Sequence, residues 1–426
     1  DGWGRARPYL VPAHVIHPLA VYGRTGAGKS TFSINQAFLW TNYHAAKSAV
    51  LIDVKDNFVQ DFAQVAPAHR LSDLVLFDGT DSDFPPAFNV LAGVAPQQRS
   101  LVTAQIITAL KQFYGAEQWG IRMEHILRNA IWTLLCVPQS TLLDVPRLLT
   151  EEEYREAAIT YVDNAAVVKF WKQEYKGIIG RNNSPANIES ILNKWSILTI
   201  YPSIRNIVGQ TQQGLNIQAA IDSGAILLIN LAQGVLGNDA SALLAAFIVA
   251  QIIQAAQARV TQSTRREVLC VFDEVQAYST DALIKGITEG RSMGLRIMAC
   301  SQYPELLPSA IRTAFAKNVA YELTCQRVTD TATSRESYAI ELVAMQERDP
   351  QTGQPPLRIL AALPPLPNKR PEQLALVRHH SRHLLAAPRE QVEHDIERRM
   401  AEPLKPQEER HGSAPNPARK DIPLFD

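Results

Sequence analysis

The stretch "VYGRTGAGKSTF", residues 21–32, constrains the fold of this 426-residue chain more than any other. It has the spacing G-x-x-x-x-G-K-[ST], with Gly23, Gly28, Lys29 and Ser30 at the diagnostic positions. Glycines let consecutive backbone N–H groups point into such a loop, and a helix that follows adds the positive end of its dipole. The pattern therefore predicts a strand, an anion-binding loop and a helix, in that order.

The ligand that fits such a loop is a nucleoside triphosphate with Mg²⁺, and we expect ATP. Lys29 would reach the β- and γ-phosphates, and the Ser30 hydroxyl would bind Mg²⁺. The flanking segments agree, because "HPLAV" reads as a buried strand and "STFSINQAFLW" as a helix. A glycine turn without a ligand is the alternative. The candidate nucleotide-binding residues are Gly23, Arg24, Thr25, Gly26, Ala27, Gly28, Lys29, Ser30 and Thr31.

Six further short runs are mostly apolar and rich in β-branched or aliphatic residues, which is typical of strands buried on both faces. Because these runs alternate with helical patterns, they predict an α/β fold with a mostly parallel sheet flanked by helices. The runs are "SAVLIDV" (48–54), "LVLFDG" (74–79), "AILLINLA" (225–232), "VLCVFDE" (268–274), "LRIMACSQ" (295–302) and "VAYELTC" (319–325).

Helical patterns without strand-like runs occupy residues 96–203, and we expect an all-helical insertion there. In "RMEHILRNAIWTLL" the apolar residues follow the helical period, and "TEEE" at Thr150–Glu153 has the form of a capping box. Residues 1–95 and 204–378 would then form the two parts of the ATPase domain. Residues 379–426 read as a polar, partly flexible tail with one helix around "REQVEHDIERRMA".

Charge and cysteine usage exclude several classes of protein. The 42 basic and 42 acidic residues cancel, so a nucleic-acid surface must be local or arise by assembly. The most apolar run, 242–250, reads as a buried helix and is too short to span a membrane. We expect a cytoplasmic protein, or one at the cytoplasmic face of a membrane if an anchor precedes the sequence. The cysteines read as reduced core thiols: Cys136, Cys270, Cys300 and Cys325.

Two clusters of basic residues have a functional and an ordinary interpretation. The segment "KFWKQEYKGIIGR" interleaves aromatics with Lys169, Lys172, Lys176 and Arg181, which suits contact with a nucleic-acid backbone. It also fits a solvated helix face, which is the commoner case. The histidines of "RHHSRH", His379, His380 and His383, lack other ligands at metal-binding spacing and read as a solvated basic strip.

A phosphate loop needs a partner carboxylate, and "REVLCVFDEVQAYS" offers two. An apolar strand runs into Asp273 and Glu274, so both acids emerge at its carboxyl end, where ligands bind in such sheets. We expect Asp273 to complete the Mg²⁺ site with Ser30, and Glu274 to activate the attacking water. The next strand ends at Gln302, whose neutral amide could bridge the γ-phosphate to that base.

Several segments together carry a resemblance to a known family. The segments are "HPLAVYGRTGAGKST", "LIDVKDNFVQDF", "FNVL", "TLLDVPRLLT", "ILLINLAQGVLG", "FDEVQAY" and "EGRSMGLRIMACSQYPEL". The match as a whole runs from about His14 to Cys325. This succession resembles the FtsK/HerA superfamily of ring-forming, RecA-like ATPases, and most closely its branch of type IV secretion and conjugation coupling proteins. The "GRSMG…SQ" element is the most specific part, since phosphate loops occur in very many ATPases.

The resemblance assigns further roles by position. Gln302 matches a sensor of the γ-phosphate, and Asp53 and Lys55 match an acid and a lysine after the second strand. Arg291 matches an arginine that reaches the γ-phosphate of the neighbouring subunit. It follows the helix-like "ALIKGITEG", and we expect its side chain to leave the sheet near the nucleotide edge. An arginine capping that helix is the alternative.

The resemblance implies a DNA-translocating ATPase that assembles as a homo-oligomer, a hexamer, with a relaxase, nuclease or secretion channel as partner. A secretion ATPase for protein export or pilus assembly, and a nucleotide-dependent recruitment module, are the alternatives. The sequence also departs from the family, because Val54 and Asp56 replace a proline and a glycine around Lys55. Neither membrane helices nor a small β-barrel precede His14 in this sequence.

Overall fold

The structure is a computed structural model that describes most of the chain. Arg181, His14 and Asp56, which entered the sequence analysis, lie outside the described residues. The described ranges are 18–43, 47–55, 57–179, 186–260, 266–278, 280–319, 321–329, 336–344 and 358–407.

The described residues form one nine-stranded sheet in the order β3-β4-β2-β5-β6-β1-β7-β8-β9. Strands β1 to β7 pair in parallel, whereas β8 is antiparallel to both of its neighbours. The mostly parallel α/β sheet is therefore confirmed, but β8 and β9 were not predicted. The strands are β1 (Leu19–Tyr22), β2 (Ser48–Asp53), β3 (Leu74–Asp78), β4 (Ile226–Asn230), β5 (Val268–Phe272), β6 (Leu295–Ser301), β7 (Tyr321–Thr329), β8 (Glu336–Ala344) and β9 (Arg358–Ala362).

Helices cover both faces of this sheet. They are α1 (Lys29–Tyr43), α2 (Phe58–Val65), α3 (Arg99–Tyr114), α4 (Ile121–Leu134), α5 (Asp144–Thr150), α6 (Glu152–Ile159), α7 (Ala165–Lys169), α8 (Tyr175–Ile179), α9 (Ala186–Ile200), α10 (Pro202–Val208), α11 (Ile217–Ser223), α12 (Gln233–Leu236), α13 (Asn238–Ala258), α14 (Asp281–Glu289), α15 (Ser309–Asn318), α16 (Pro371–Leu385) and α17 (Arg389–Ala401). Short 3₁₀ turns lie at Ala68–Asp73, Pro96–Gln98, Ala116–Gln118, Val275–Tyr278 and Pro304–Leu306.

The near-continuous apolar character of the strands follows from burial on two sides. Successive residues of β2 alternate between two cores. Val50 and Ile52 face the core that contains α3 and α13, whereas Leu51 faces the core that contains α1 and α2. Each strand therefore needs apolar residues at consecutive positions.

Between β3 and β4 the described chain is helical from α3 to α11. The apolar periodicity of α4 was read correctly, because its six apolar residues from Met123 to Leu134 are buried. The capping box was wrong: Thr150 belongs to the last turn of α5, and its hydroxyl donates to the Pro146 carbonyl at 2.8 Å. The limits of a separate helical domain stay a prediction.

Helix α13 is the one helix of the described residues whose length and apolar composition would suit a membrane span. Within its most apolar window, 72% is buried inside the fold. It contacts α3, α11 and α14, and it thus forms the centre of one core.

The aromatic residues of the basic segment face inward. A π-helical turn, Phe170–Glu174, joins α7 to α8, and Phe170, Trp171 and Tyr175 are buried against one another. The segment's lysines are exposed. Because these rings are buried, they cannot stack on nucleic-acid bases in this structure, and the segment has the form of a solvated helix face.

The polar segment after residue 378 folds onto the sheet and the helical region as far as residue 407. The Ser381 hydroxyl in α16 accepts a hydrogen bond from the Leu76 amide of β3 at 2.8 Å. In α17, Arg399 donates to the fully buried Asp144 carboxylate at 2.7 and 2.5 Å. A few apolar residues and one largely buried ion pair therefore fix these helices in spite of their polar composition.

The Asp144–Arg399 pair gives a direct test of this arrangement. Replacing Arg399 by Met should lower the free energy of unfolding by about 3–5 kcal/mol, because Asp144 stays buried without its cation. Arg398→Met is the matched control; Arg398 is exposed and pairs with Asp395 at the surface, so the change should cost less than ~1 kcal/mol. Urea denaturation measures both, and equal small losses would mean that α17 is not part of the folded unit.

Candidate nucleotide site

Parallel pairing brings the loops that carry polar side chains to one edge of the sheet. Tyr22 at the end of β1 lies opposite Ser301 at the end of β6, and β2 pairs with β5 in the same direction. The phosphate loop, Asp53, Asp273 and Gln302 therefore leave the sheet at its carboxyl edge. Open α/β sheets bind ligands at this edge.

The phosphate loop is anchored to the strand beside it and closes onto the first turn of α1. The Gly23 amide donates to the Gln302 carbonyl at 3.3 Å, and Gly26 and Gly28 have φ values of +78° and +98° that favour glycine. Lys29 is buried, and its Nζ donates to the Gly23 carbonyl at 2.7 Å. Ser30 is exposed at the mouth of the loop. The lysine thus lies across the loop, within reach of an anion bound there.

Asp53 braces the turn that follows β2. It is fully buried, and its carboxylate accepts hydrogen bonds from the backbone amides of Lys55 at 2.7 Å, Phe58 at 2.7 Å and Val59 at 3.3 Å. These bonds fix the backbone of Lys55 at the edge of the sheet, next to β5. The acid and the lysine that the family resemblance matched are therefore parts of one turn.

Glu274 is the point where the separate loops meet. Its carboxylate accepts hydrogen bonds from Lys55 Nζ, from Gln276 Nε2 and, at 3.5 Å, from Gln302 Nε2, while Lys29 Nζ lies 3.9 Å away. Burial alone would raise the pKa of Glu274, but the bonds from Lys55 and Gln276 and the two lysine charges hold it below its ordinary value. The carboxylate is therefore ionised at neutral pH.

Asp273, one residue earlier, is buried among other charged side chains. Burial raises the pKa of its carboxyl group to about 7, and the nearby Asp53 and Glu274 carboxylates add to the rise. Its backbone is fixed on both sides, because its amide donates to the Ile52 carbonyl at 3.1 Å and its carbonyl accepts from the Tyr278 hydroxyl at 2.7 Å. The Asp53 carboxylate accepts three backbone amides and that of Glu274 is held by Lys55 and Gln276, so Asp273 is the acid among the three that is left to bind a divalent cation.

Arg291 lies at the opposite edge of the sheet from these groups. It is in the turn that precedes Leu295, the first residue of β6, whereas Gln302 follows the last residue of that strand. The expectation that Arg291 leaves the sheet near the nucleotide edge is wrong, because a turn that enters a parallel strand lies at its amino end. The side chain is exposed and forms no hydrogen bond or ion pair with the described residues.

Sequence reasoning missed two contacts of the site. The bonds of Lys55 and Gln276 to Glu274 were not predicted, since they depend on the adjacency of β2 and β5 and on the 3₁₀ turn after Glu274. The sequence pattern that could have indicated the Lys55 contact is Lys55 itself, two residues after Asp53 at the end of a buried strand. Elsewhere, a cavity of about 330 Å³ lined by a mixture of apolar residues and carboxamides lies between α3, α11 and α13. The described residues form no cluster of three or more metal-ligating side chains.

Solved structures provide the comparison with known proteins, since no protein-family model and no curated protein matches the sequence. The fold is similar to that of the bacterial conjugative coupling protein TrwB in its unbound form, with a TM-score of 0.52 and 14% identity over 84% of this chain and 78% of that chain. TrwB in complex with the ATP analogue ADPNP gives a TM-score of 0.54 and 14% identity, over 84% and 79% of the two chains.

A third structure, TrwB with the GTP analogue GDPNP, gives a TM-score of 0.54 and 12% identity over 83% of this chain and 86% of that chain. At this level of identity the likeness is one of fold. The α/β P-loop NTPase fold, and the resemblance to the coupling-protein branch at the level of fold, are confirmed.

Proposed function

We propose that this chain is a Mg²⁺-dependent ATPase that works as one subunit of a DNA-translocating ring. The observation that carries the ATPase proposal is the convergence of the phosphate loop, Lys29, Glu274 and Gln302 at the carboxyl edge of the sheet. Lys29 Nζ and Gln302 Nε2 lie 3.9 and 3.5 Å from Glu274 Oε1. TrwB, which shares the fold, has been solved with an ATP analogue, and this supports ATP as the ligand.

Each residue has a role that its position allows. Residues 23–31 would hold the phosphates, with Lys29 turning from the Gly23 carbonyl to the β- and γ-phosphates. Ser30 and Asp273 would hold Mg²⁺, which supplies charge stabilisation for the phosphates. Glu274 would accept the proton of the water that attacks the γ-phosphorus, while ADP leaves. Gln302 would orient that water, since its amide reaches the base without adding charge.

The ring proposal depends on Arg291. Because it lies at the amino edge of the sheet, it cannot act on the nucleotide held by its own subunit. An exposed arginine without a partner among the described residues is free to enter the site of an adjacent copy. This arrangement supports a closed homo-oligomer, and the family resemblance suggests six subunits.

The proposal of DNA as substrate is supported by the sequence resemblance and by the shared fold with a conjugative coupling protein. The balance of 42 basic and 42 acidic residues fits this substrate if several copies of a local basic surface line one channel. A relaxase, a nuclease or a secretion channel would then be the partner that supplies or receives the DNA.

The first prediction from the proposed function separates nucleotide binding from hydrolysis. Lys29→Ala should weaken ATP binding and turnover, because it removes the main phosphate cation. Glu274→Gln should keep ATP binding and lower kcat by ~100-fold or more, because it removes the base. Titration calorimetry and phosphate release measure the two effects. Lys285→Ala, on the exposed surface of α14, is the control and should match wild type. Wild-type turnover in Glu274→Gln would remove this residue as the base.

The second prediction concerns Arg291. Arg291→Ala alone should lower turnover by ~10³-fold, whereas a cap of α14 would cost only about 1 kcal/mol of stability. Mixing inactive Lys29→Ala subunits with inactive Arg291→Ala subunits should restore some hydrolysis, because certain interfaces then hold both residues. Arg312→Ala on the exposed face of α15 is the control. Mixed rings without any recovered activity would exclude Arg291 from the site.

The third prediction concerns DNA. Affinity should fall steeply with salt and depend little on sequence, because counterions leave when phosphates are bound. DNA should also raise the rate of ATP hydrolysis at low salt. The checks are fluorescence anisotropy at several salt concentrations and phosphate release with single- and double-stranded DNA. Turnover that ignores both forms of DNA would favour a secretion ATPase, and partner activity that persists in Glu274→Gln would favour a recruitment module.

A further inference from the structure

The order of the strands orients any nucleotide bound at the phosphate loop. Glu274 follows β5 and Gln302 follows β6, and both strands lie on one side of β1. On the other side of β1 lie β7, β8 and β9. With Glu274 as the base, the γ-phosphate end faces β5 and β6, and the side of β7 to β9 is the side of the loop left for the nucleoside end.

An aromatic side chain meets the phosphate loop on that side. A Cβ atom added to Gly28 would lie 3.1 Å from Cγ and Cδ1 of Tyr338 in β8, and 3.1 Å from Cδ2 of Leu363 after β9. The Tyr338 ring therefore rests against the backbone of Gly28, one residue before Lys29. The carbonyl of Tyr338 accepts a hydrogen bond from the Leu363 amide at 2.8 Å, which holds the two residues together.

The segment after β9 is also tied to the helix that follows the loop. The side-chain amide of Asn35 in α1 donates to the Pro364 carbonyl at 2.8 Å. This bond holds Leu363 and, through it, Tyr338 near the first turns of α1. The antiparallel end of the sheet thus forms a wall beside the phosphate loop.

Tyr338 has the properties of a stacking surface. Its relative exposure is 37%, so part of the ring contacts the loop and part is open. Its hydroxyl forms no hydrogen bond with the described residues, so polar contacts do not hold the ring in place. An exposed aromatic face stacks on any base, since every base has a π-face.

We propose that Tyr338 is the surface on which the base of the bound nucleoside triphosphate stacks, with Leu363 as its apolar neighbour. The proposal rests on the proposed function, because it concerns the same ligand. It assigns the binding of the base to the antiparallel strands and the binding of the phosphates to the parallel ones.

The test compares ATP with inorganic tripolyphosphate, which has the phosphates and lacks the nucleoside. Tyr338→Ala in the full chain should bind Mg²⁺–ATP ~10-fold more weakly, a typical loss for one stacked base, and should bind tripolyphosphate as wild type does. Tyr338→Phe keeps the ring and should bind both ligands normally. Tyr43→Ala is the matched control, because Tyr43 is exposed at the far end of α1. Titration calorimetry gives all the constants.

Three results would overturn the proposal, and they have different meanings. Equal losses for ATP and tripolyphosphate in Tyr338→Ala would mean that the ring only shapes the loop at Gly28. Unchanged binding of both ligands would mean that the base lies elsewhere. If the wild-type chain bound neither ligand, the proposed nucleotide site itself would be wrong, and the assignment of Tyr338 would fall with it.

Discussion

The candidate site depends on one buried carboxylate, that of Glu274, which joins three loops that are distant in sequence. Lys55 reaches it from the turn after β2, Lys29 from the phosphate loop and Gln302 from the end of β6. Glu274 has a φ of +46°, which is unfavourable for a residue with a side chain. The cations and amides around it hold this conformation, so the geometry of the edge is established before any nucleotide binds.

The local parts of this arrangement could be predicted from the sequence, and the parts that need strand order could not. The strand, loop and helix around Lys29 follow from glycine spacing and apolar runs. The bond between Lys55 and Glu274 requires β2 to lie beside β5, and no local pattern fixes that order. The direction of β6 was enough to place Arg291 correctly. Arg291 comes just before Leu295, where β6 begins, so it lies at the amino edge of the sheet, whereas Gln302 follows the end of β6 at the carboxyl edge.

Two other features escaped for reasons of composition. Strands β8 and β9 pair antiparallel at one end of the sheet, and residues such as Glu336 and Glu341 interrupt the apolar runs that identified the buried strands. Helix α17 is polar, but Arg399 and Asp144 anchor it by an ion pair that only the tertiary structure brings together. In contrast to Asp144, Asp273 has no cation bonded to its carboxylate among the described residues. Burial raises the pKa of Asp273 to about 7 and so disfavours its ionised form, which a bound cation would stabilise.

A structure of the full chain with Mg²⁺ and ADPNP tests the central claim most directly. Lys29 Nζ now lies 2.7 Å from the Gly23 carbonyl, and the account predicts that this bond breaks as the lysine moves to the γ-phosphate. The γ-phosphate should lie between Lys29 and Glu274, with Asp273 and Ser30 around the metal. An analogue bound at another edge of the sheet, with Lys29 still on the Gly23 carbonyl, would contradict the account.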